Sequence, residues 1–264
     1  MTAKKPAAYA ALFSDQIMNN FFTVLKERTI KHTHQDEQLE SVLVTPDGSG
    51  PFPAVLLIHE YTGLNKVTLD HARRLARAGY TVLAADFYGP DKIPNNIDEA
   101  RVIHRIYRDD RLLMRKRAQA CLEVLINQPE TNSAKITALG FSFGGGAVLE
   151  LARCNIQLNK HDEQLAGTIN GAISVYGYLD TTHPAAHGQI KAKLLALHVE
   201  NDPVVPEKHA EMFVKEMNEV KADWSMIRIQ NAKHGFANPD DTAFDPILAE
   251  KAWGIILDTF KKWL

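Results

Sequence analysis

Ser142, Asp202 and His234 are of the residue types that together can make a hydroxyl group nucleophilic. Ser142 lies in Gly140-Phe141-Ser142-Phe143-Gly144, a G-x-S-x-G segment. In that pattern the Ser occupies a sharp, strained strand-to-helix turn. Small residues two before and two after it let strand and helix pass without a side-chain clash. Gly145 and Gly146 continue the run of small residues and ease close packing of the helix. The helix start points unpaired N–H groups and the positive dipole end at the alkoxide and oxyanion of an acyl transfer.

A Ser hydroxyl is a weak nucleophile at neutral pH and needs a base, itself held by a third group. His234, in Lys233-His234-Gly235-Phe236, is the candidate base, and Asp202, in Asn201-Asp202-Pro203, the candidate orienting acid. Glu200 is the nearest rival to Asp202. Each motif alone has a plainer reading: a glycine-rich turn, an Asp-Pro turn, a surface-loop His. The chain order Ser, Asp, His matches one known arrangement of such triads. Each residue also follows a predicted strand, which is where sites in open α/β sheets lie.

The elements that must carry these residues are legible as short apolar runs. Leu39 to Val44, Ala54 to Ile58, Thr81 to Ala85, Ile136 to Leu139, Ala172 to Tyr176 and Leu194 to His198 read as strands, several of them buried on both faces. Ser225 to Ile229 alternates and suits a sheet edge. His32 and His34 alternate on a further predicted strand. Helical patterns cover residues 68–78, 143–153, 207–219 and 247–263, and residues 98–127 hold one long helix or two. Residues 7–26, with Leu12, Ile17, Phe21, Phe22 and Leu25, read as an extra N-terminal helix docked on the main body. A homodimer contact through that helix is the open alternative. Alternating strands and helices give an α/β class with a mostly parallel twisted sheet of about seven or eight strands and helices on both faces. A single domain spanning 1–264 is the simplest organisation, since no repeat or linker interrupts it.

Composition narrows the function classes. The 264 residues carry 30 Lys+Arg against 32 Asp+Glu, a net charge of −2, and no long basic stripe. Nucleic acid is therefore not an expected partner. No apolar run approaches the roughly 20 residues that span a membrane, and Met1 to Ala11 lacks a secretory h-region. Cys121 and Cys154 read as two small buried hydrophobes rather than a disulfide. A cytoplasmic protein is the expectation. His59-Glu60 hints at a zinc helix, but position 63 is Gly where HExxH needs His, so no metal is expected.

With these segments in hand, the sequence resembles the dienelactone hydrolase family, within the α/β-hydrolase superfamily, from about Ile30 to the C-terminus. Ile58-His59-Glu60-Tyr61-Thr62-Gly63-Leu64-Asn65 resembles the family's Glu-containing loop, and Ala85-Asp86-Phe87-Tyr88-Gly89 its Asp-x-Tyr segment. The resemblance implies an α/β-hydrolase fold and an oxyanion hole from the backbone N–H groups of Tyr61 and Phe143. It also implies that Glu60 lies beside the nucleophile, as a catalytic, substrate-recognising or structural carboxylate. Tyr88 and Phe236 are expected at the substrate, among aromatic pocket walls that include Phe87, Phe141, Phe143, Tyr176 and Tyr178.

Two residues depart from the family pattern. Its best-known members carry Cys where this chain has Ser142. Its dienelactone-cleaving members place an Arg two residues after the Phe of the His-x-Phe segment, and this chain reads Phe236-Ala237-Asn238. A second family Arg belongs in the 97–110 region, where Arg101, Arg105 and Arg108 are candidates. The expected activity is hydrolysis of a small-molecule ester or lactone through an acyl-enzyme, without a cofactor. Acyl transfer, small-peptide cleavage and a non-catalytic binding fold are the alternatives.

Overall fold

The structure is a computed structural model that describes residues 24–154 and 169–264. Strands β1 (Leu25–His34), β2 (Glu37–Pro46), β3 (Phe52–Ile58), β4 (Thr81–Ala85), β5 (Thr131–Phe141), β6 (Gly171–Val175), β7 (Lys193–Val199) and β8 (Trp224–Ile229) form one sheet. The helices are α1 (Lys66–Arg77), α2 (Ile97–Arg108), α3 (Arg111–Ile126), α4 (Phe143–Arg153), α5 (Glu207–Glu219) and α6 (Pro246–Trp263). The predicted long segment 98–127 is thus two helices, because Asp110 caps the second by accepting the N–H of Leu113.

The strand order is β1-β2-β4-β3-β5-β6-β7-β8. β1 and β2 pair antiparallel, as do β2 and β4, and every other neighbour is parallel. The chain steps from β3 to β4 on one side and returns to β5 on the other, so the order reverses at β3 and β5. That reversal opens a crevice at the strands' carboxyl ends. β3, β5, β6, β7 and β8 all deliver their following loops to this edge.

Helices cover both faces of the sheet. Leu56 and Ile58 of β3 face α3, α4 and α5, through Met114, Val148 and Phe213. Val55 and Leu57 face the opposite side, with α1 and α6, through Leu75, Trp253 and Phe260. This two-sided burial is why the central strands read as unbroken apolar runs. β8 alternates in exposure because it is an edge strand. Among the described residues, no helix is long and apolar enough to cross a membrane.

The N-terminal helix expected over 7–26 lies outside the described residues up to 23, and its last part is corrected. Leu25 and Lys26 begin β1, in register with Pro46 and Thr45. Pairing with β2 as an antiparallel hairpin decides this segment, and local apolar spacing could not reveal that long-range pairing.

Two buried groups on the helices give direct tests. His71 of α1 is wedged between Phe141, 4.7 Å away, and Trp253, 5.1 Å away. Burial, aided by Arg74, pushes its imidazole down from 6.5 to about 4. Above pH 6.5 the ring is neutral in folded and unfolded chains alike. As pH falls towards 4 only the unfolded chain gains the proton, so up to about 3 kcal/mol of stability is lost across that window. Urea melts at pH 7 and pH 4.5 should show this loss reduced in His71→Leu; an identical pH slope in both proteins would count against it.

On α4, Glu150 and Arg153 are both almost fully buried and pair at 3.2 Å. Arg115 of α3 reaches Glu150 at 2.7 Å, and Glu216 of α5 reaches Arg153 at 2.8 Å. This network clamps the helix that starts at Ser142 between its two neighbours. Glu150→Ala leaves Arg153 and Arg115 short of counter-charge and should cost about 3–5 kcal/mol. A urea midpoint unchanged from wild type would contradict that role.

Candidate active site

β5 ends at Phe141, and the next residue turns the chain sharply into α4. Ser142 makes the turn with φ 51° and ψ −114°, a left-handed conformation that a non-glycine residue adopts at a cost of about 1–3 kcal/mol. Its N–H is held by Val175 O at 2.9 Å. Two glycines allow the close approach. A Cβ on Gly140 would lie 2.6 Å from Gly145 N, and one on Gly144 would lie 2.7 Å from His59 O and closer still to Ile58 O.

Ser142 occupies the N-cap position of α4 but its side chain caps nothing. Its hydroxyl instead meets His234 Nε2 at 2.8 Å. His234 Nδ1 meets Asp202 Oδ2 at 2.7 Å. Asp202 Oδ1 accepts the N–H groups of Val204 and Val205 at 2.8 and 3.2 Å, which fixes the carboxylate in its loop after β7. A carboxylate only accepts hydrogen bonds, so Nδ1 carries the imidazole proton and the Nε2 lone pair faces the Ser hydroxyl. The structure thus brings together the three residues expected from the sequence, and Asp202 rather than Glu200 faces the imidazole. Ser142 and Asp202 are nearly buried, while the His234 side chain keeps 16% of its surface exposed, so the assembly opens to solvent at the imidazole.

The sequence singles out Tyr61 and Phe143 for their backbone N–H groups. Phe143 is the first residue of α4, and no acceptor takes its N–H or that of Tyr61 among the described residues. First-turn N–H groups of a helix have no partner within it, so Phe143 N–H remains available to a ligand. The Tyr61 loop is braced from behind: Tyr88 O–H donates to Tyr61 O at 3.0 Å. Asp86 Oδ1 in turn accepts the N–H groups of Tyr88 and Gly89. His59 accepts the Phe87 N–H at Nε2 and donates from Nδ1 to Glu60 O, so its ring is spent on holding the loop rather than a metal.

Here two expectations are corrected. Tyr88 and Phe236 are 2% and 0% exposed, so neither ring can touch a substrate in this conformation. Phe87, Phe141, Phe143 and Tyr176 are sealed likewise. These aromatics form a packed layer beneath the site, linked by edge contacts such as Phe87 on Phe143 and Tyr176 on Phe236. Apolar type alone does not distinguish a pocket wall from the layer behind it. Tyr61 and Tyr178 are only half-buried.

Glu60 is half-buried and sits at the centre of a small network that the sequence did not reveal. Tyr176 O–H donates to its Oε1 at 2.8 Å, and Asn238 Nδ2 to its Oε2 at 2.8 Å. Burial raises the Glu60 carboxyl above the ordinary range, and these two donors and the nearby His234 oppose that rise. Tyr176 adopts φ 41° and lays its ring edge-on to His234, centroids 5.1 Å apart. The available signal is Asn238 itself, an amide at a position where the family pattern has a cation. None of the three candidate Arg residues reaches Glu60 or the triad. Arg101 is exposed and pairs with Asp98 at 3.0 Å, and Arg105 is exposed. Arg108 stacks over Tyr178 and pairs with Asp180.

This arrangement can do acyl-transfer chemistry: a hydroxyl beside an oriented imidazole, with the unpaired Phe143 N–H next to it in the chain. Comparison with known proteins points the same way. The family model described as "Dienelactone hydrolase family" matches residues 39–264. A probable 2-oxo-3-(5-oxofuran-2-ylidene)propanoate lactonase of Bradyrhizobium sp. is 25% identical over 232 residues, covering 84% of this chain and 88% of its own. A putative carboxymethylenebutenolidase of Yersinia pestis is 25% identical over 241 residues, covering 86% and 84%. Among solved structures, m3DLH aligns with TM-score 0.82 at 27% identity, covering 91% of this chain and 99% of its own. A dienelactone hydrolase-like promiscuous phosphotriesterase from metagenomic libraries aligns with TM-score 0.79 at 27% identity, covering 90% and 98%.

Proposed function

From the premise that this chain belongs to the dienelactone hydrolase family, we propose that it is a serine hydrolase that cleaves a small carboxylic ester or lactone through an acyl-enzyme. The observation that carries this reading is the continuous relay Ser142 Oγ to His234 Nε2 at 2.8 Å and His234 Nδ1 to Asp202 at 2.7 Å.

In the forward half-reaction, Ser142 Oγ attacks the carbonyl carbon and its proton passes to His234 Nε2. Asp202 holds the ring in the right tautomer and stabilises the imidazolium that forms. The carbonyl oxygen becomes an oxyanion, received by the N–H groups of Tyr61 and Phe143. These donors are fixed before the reaction, so they need no reorganisation as charge develops. His234 then returns the proton to the leaving alcohol oxygen as the C–O bond breaks. Water repeats the sequence in reverse: it loses a proton to His234 and attacks the acyl carbon, and as the C–Oγ bond breaks His234 returns that proton to Ser142 Oγ and the carboxylic acid leaves.

A Ser needs this base in a way a thiol does not, because an alcohol is not stored as an anion at neutral pH. The contact of Ser142 with the imidazole, rather than with Glu60, suits that requirement. Glu60 is engaged by Tyr176 and Asn238 and is not bonded to the nucleophile.

The deciding experiment pairs two measurements. A fluorophosphonate probe should label Ser142, and short p-nitrophenyl esters and lactones should be hydrolysed with water as acceptor. Absence of labelling at Ser142, with no turnover of any ester or lactone, would leave a binding fold without catalysis. Faster product formation with added alcohol or amine would instead favour an acyltransferase using the same triad.

A further inference from the structure

Among the described residues, no Lys or Arg pairs with the Glu60 carboxylate beside the triad. Both oxygens of Glu60 are engaged, yet by neutral groups, the Tyr176 hydroxyl and the Asn238 amide. The amide orientation is fixed independently, because Asn238 Oδ1 accepts the Asp240 N–H at 2.9 Å and so turns Nδ2 towards Glu60. The charged groups that bear on Glu60 are His234 and Asp241, and Asp241 has the same sign. Asp241 is packed against the loop of the catalytic base: a Cβ at Gly235 would lie 2.8 Å from its Oδ2. Arg101, whose charge bears on Tyr61, is exposed and already paired with Asp98.

Glu60 directly precedes Tyr61, the proposed oxyanion donor, and it bonds Tyr176, whose ring packs edge-on to His234. A substrate bound at Ser142 therefore lies close to this carboxylate. We propose that Glu60 is a specificity-determining residue: its uncompensated charge, pinned by Tyr176 and Asn238, turns away esters bearing an anionic group beside the scissile bond and leaves neutral esters and lactones as the accepted class. This rests on the hydrolase reading of Ser142. Two like charges within several ångströms in a partly desolvated site repel strongly enough to lower kcat/KM on the order of tenfold to a hundredfold. Asn238 is the second determinant, because a cation there would neutralise Glu60.

The test uses the full chain and two p-nitrophenyl esters of equal length, the neutral butyrate and the anionic hemisuccinate. The readout is the ratio of their kcat/KM values, corrected for the ratio in alkaline hydrolysis. Wild type should favour butyrate by at least tenfold, and added salt should narrow the gap. Glu60→Gln keeps the shape and lets the Tyr176 hydroxyl accept rather than donate; it should shrink the ratio at least tenfold. Asn238→Arg should shrink it as well, while Glu60→Asp, which keeps the charge, should retain most of it. A wild-type enzyme that takes both esters equally, or a ratio unmoved by both salt and Glu60→Gln, overturns the proposal. The salt series needs only wild type, so the question is answered even if a variant fails to fold. If wild type hydrolyses neither ester and the fluorophosphonate leaves Ser142 unlabelled, the hydrolase reading falls and this proposal falls with it.

Discussion

Ser142→Ala should lower kcat on an activated ester by about 10⁵-fold while leaving the urea midpoint close to that of wild type. The size follows from the geometry. In the proposed reaction Oγ is the atom that bonds to carbon, and Ala has no substitute for it. The two backbone donors remain in the variant, so a residual rate above that of water should persist, carried by oxyanion stabilisation and binding alone. The unchanged stability is argued separately. Ser142 Oγ caps no backbone group, and its one side-chain bond is to a partly exposed imidazole. Replacing it with Ala leaves the positive φ in place but strands no buried donor. His234→Ala should fall by a similar factor, and the double variant by little more than either single one, because the residues act as a unit. Stopped-flow or steady-state assays of p-nitrophenyl acetate would measure this. A Ser142→Ala enzyme retaining activity within tenfold of wild type would defeat the assignment of nucleophile.

Gly144→Ala should be severely damaging, destabilising by more than about 4 kcal/mol or preventing folding. The added Cβ would meet the carbonyl oxygens of Ile58 and His59, the second at 2.7 Å. Both are backbone atoms at the end of β3, in the middle of an eight-stranded sheet, so neither can rotate away as a side-chain tip would. Relief requires α4 to move off the sheet or the loop after Ile58 to shift. The first strains the buried Glu150–Arg153 network, and the second moves Tyr61, the proposed oxyanion donor. Any folded fraction should thus lose kcat more than it raises KM, since the donor lost matters chiefly in the transition state. Gly254→Ala on α6, where a Cβ would meet nothing within 4 Å, is the control and should be neutral or slightly stabilising. Equal melting curves for Gly144→Ala and wild type would refute the steric account.

Much of this protein was legible before any coordinates. The parallel core could be read because strands buried on both faces are largely apolar, as Ala54 to Ile58 and Thr81 to Ala85 are. The elbow could be read because its glycines answer a local steric need. Chain order linked Asp202 and His234 to it, although each alone reads as an ordinary loop residue. The segment around Leu25 was misread because an edge strand pairs through its backbone, and apolar spacing there reflects partial burial rather than a helical face. Tyr88 and Phe236 were misplaced because a side chain's type says that it will be covered, not whether protein or substrate will cover it.

The amino-acid sequence by itself determined the alternation of strands and helices, the strained turn at Ser142 and the identities of the groups able to move a proton. These depend on interactions between residues close along the chain, or on simple burial. Only the tertiary structure decided that Asp202 rather than Glu200 orients His234, that Asn238 and Tyr176 grip Glu60, and that the aromatics lie beneath the site. Those outcomes depend on which loops converge where strand order reverses between β3 and β5. Residues 116 and 178 positions apart meet there at hydrogen-bond distance, and no pattern of neighbours along the chain encodes a distance between such remote side chains.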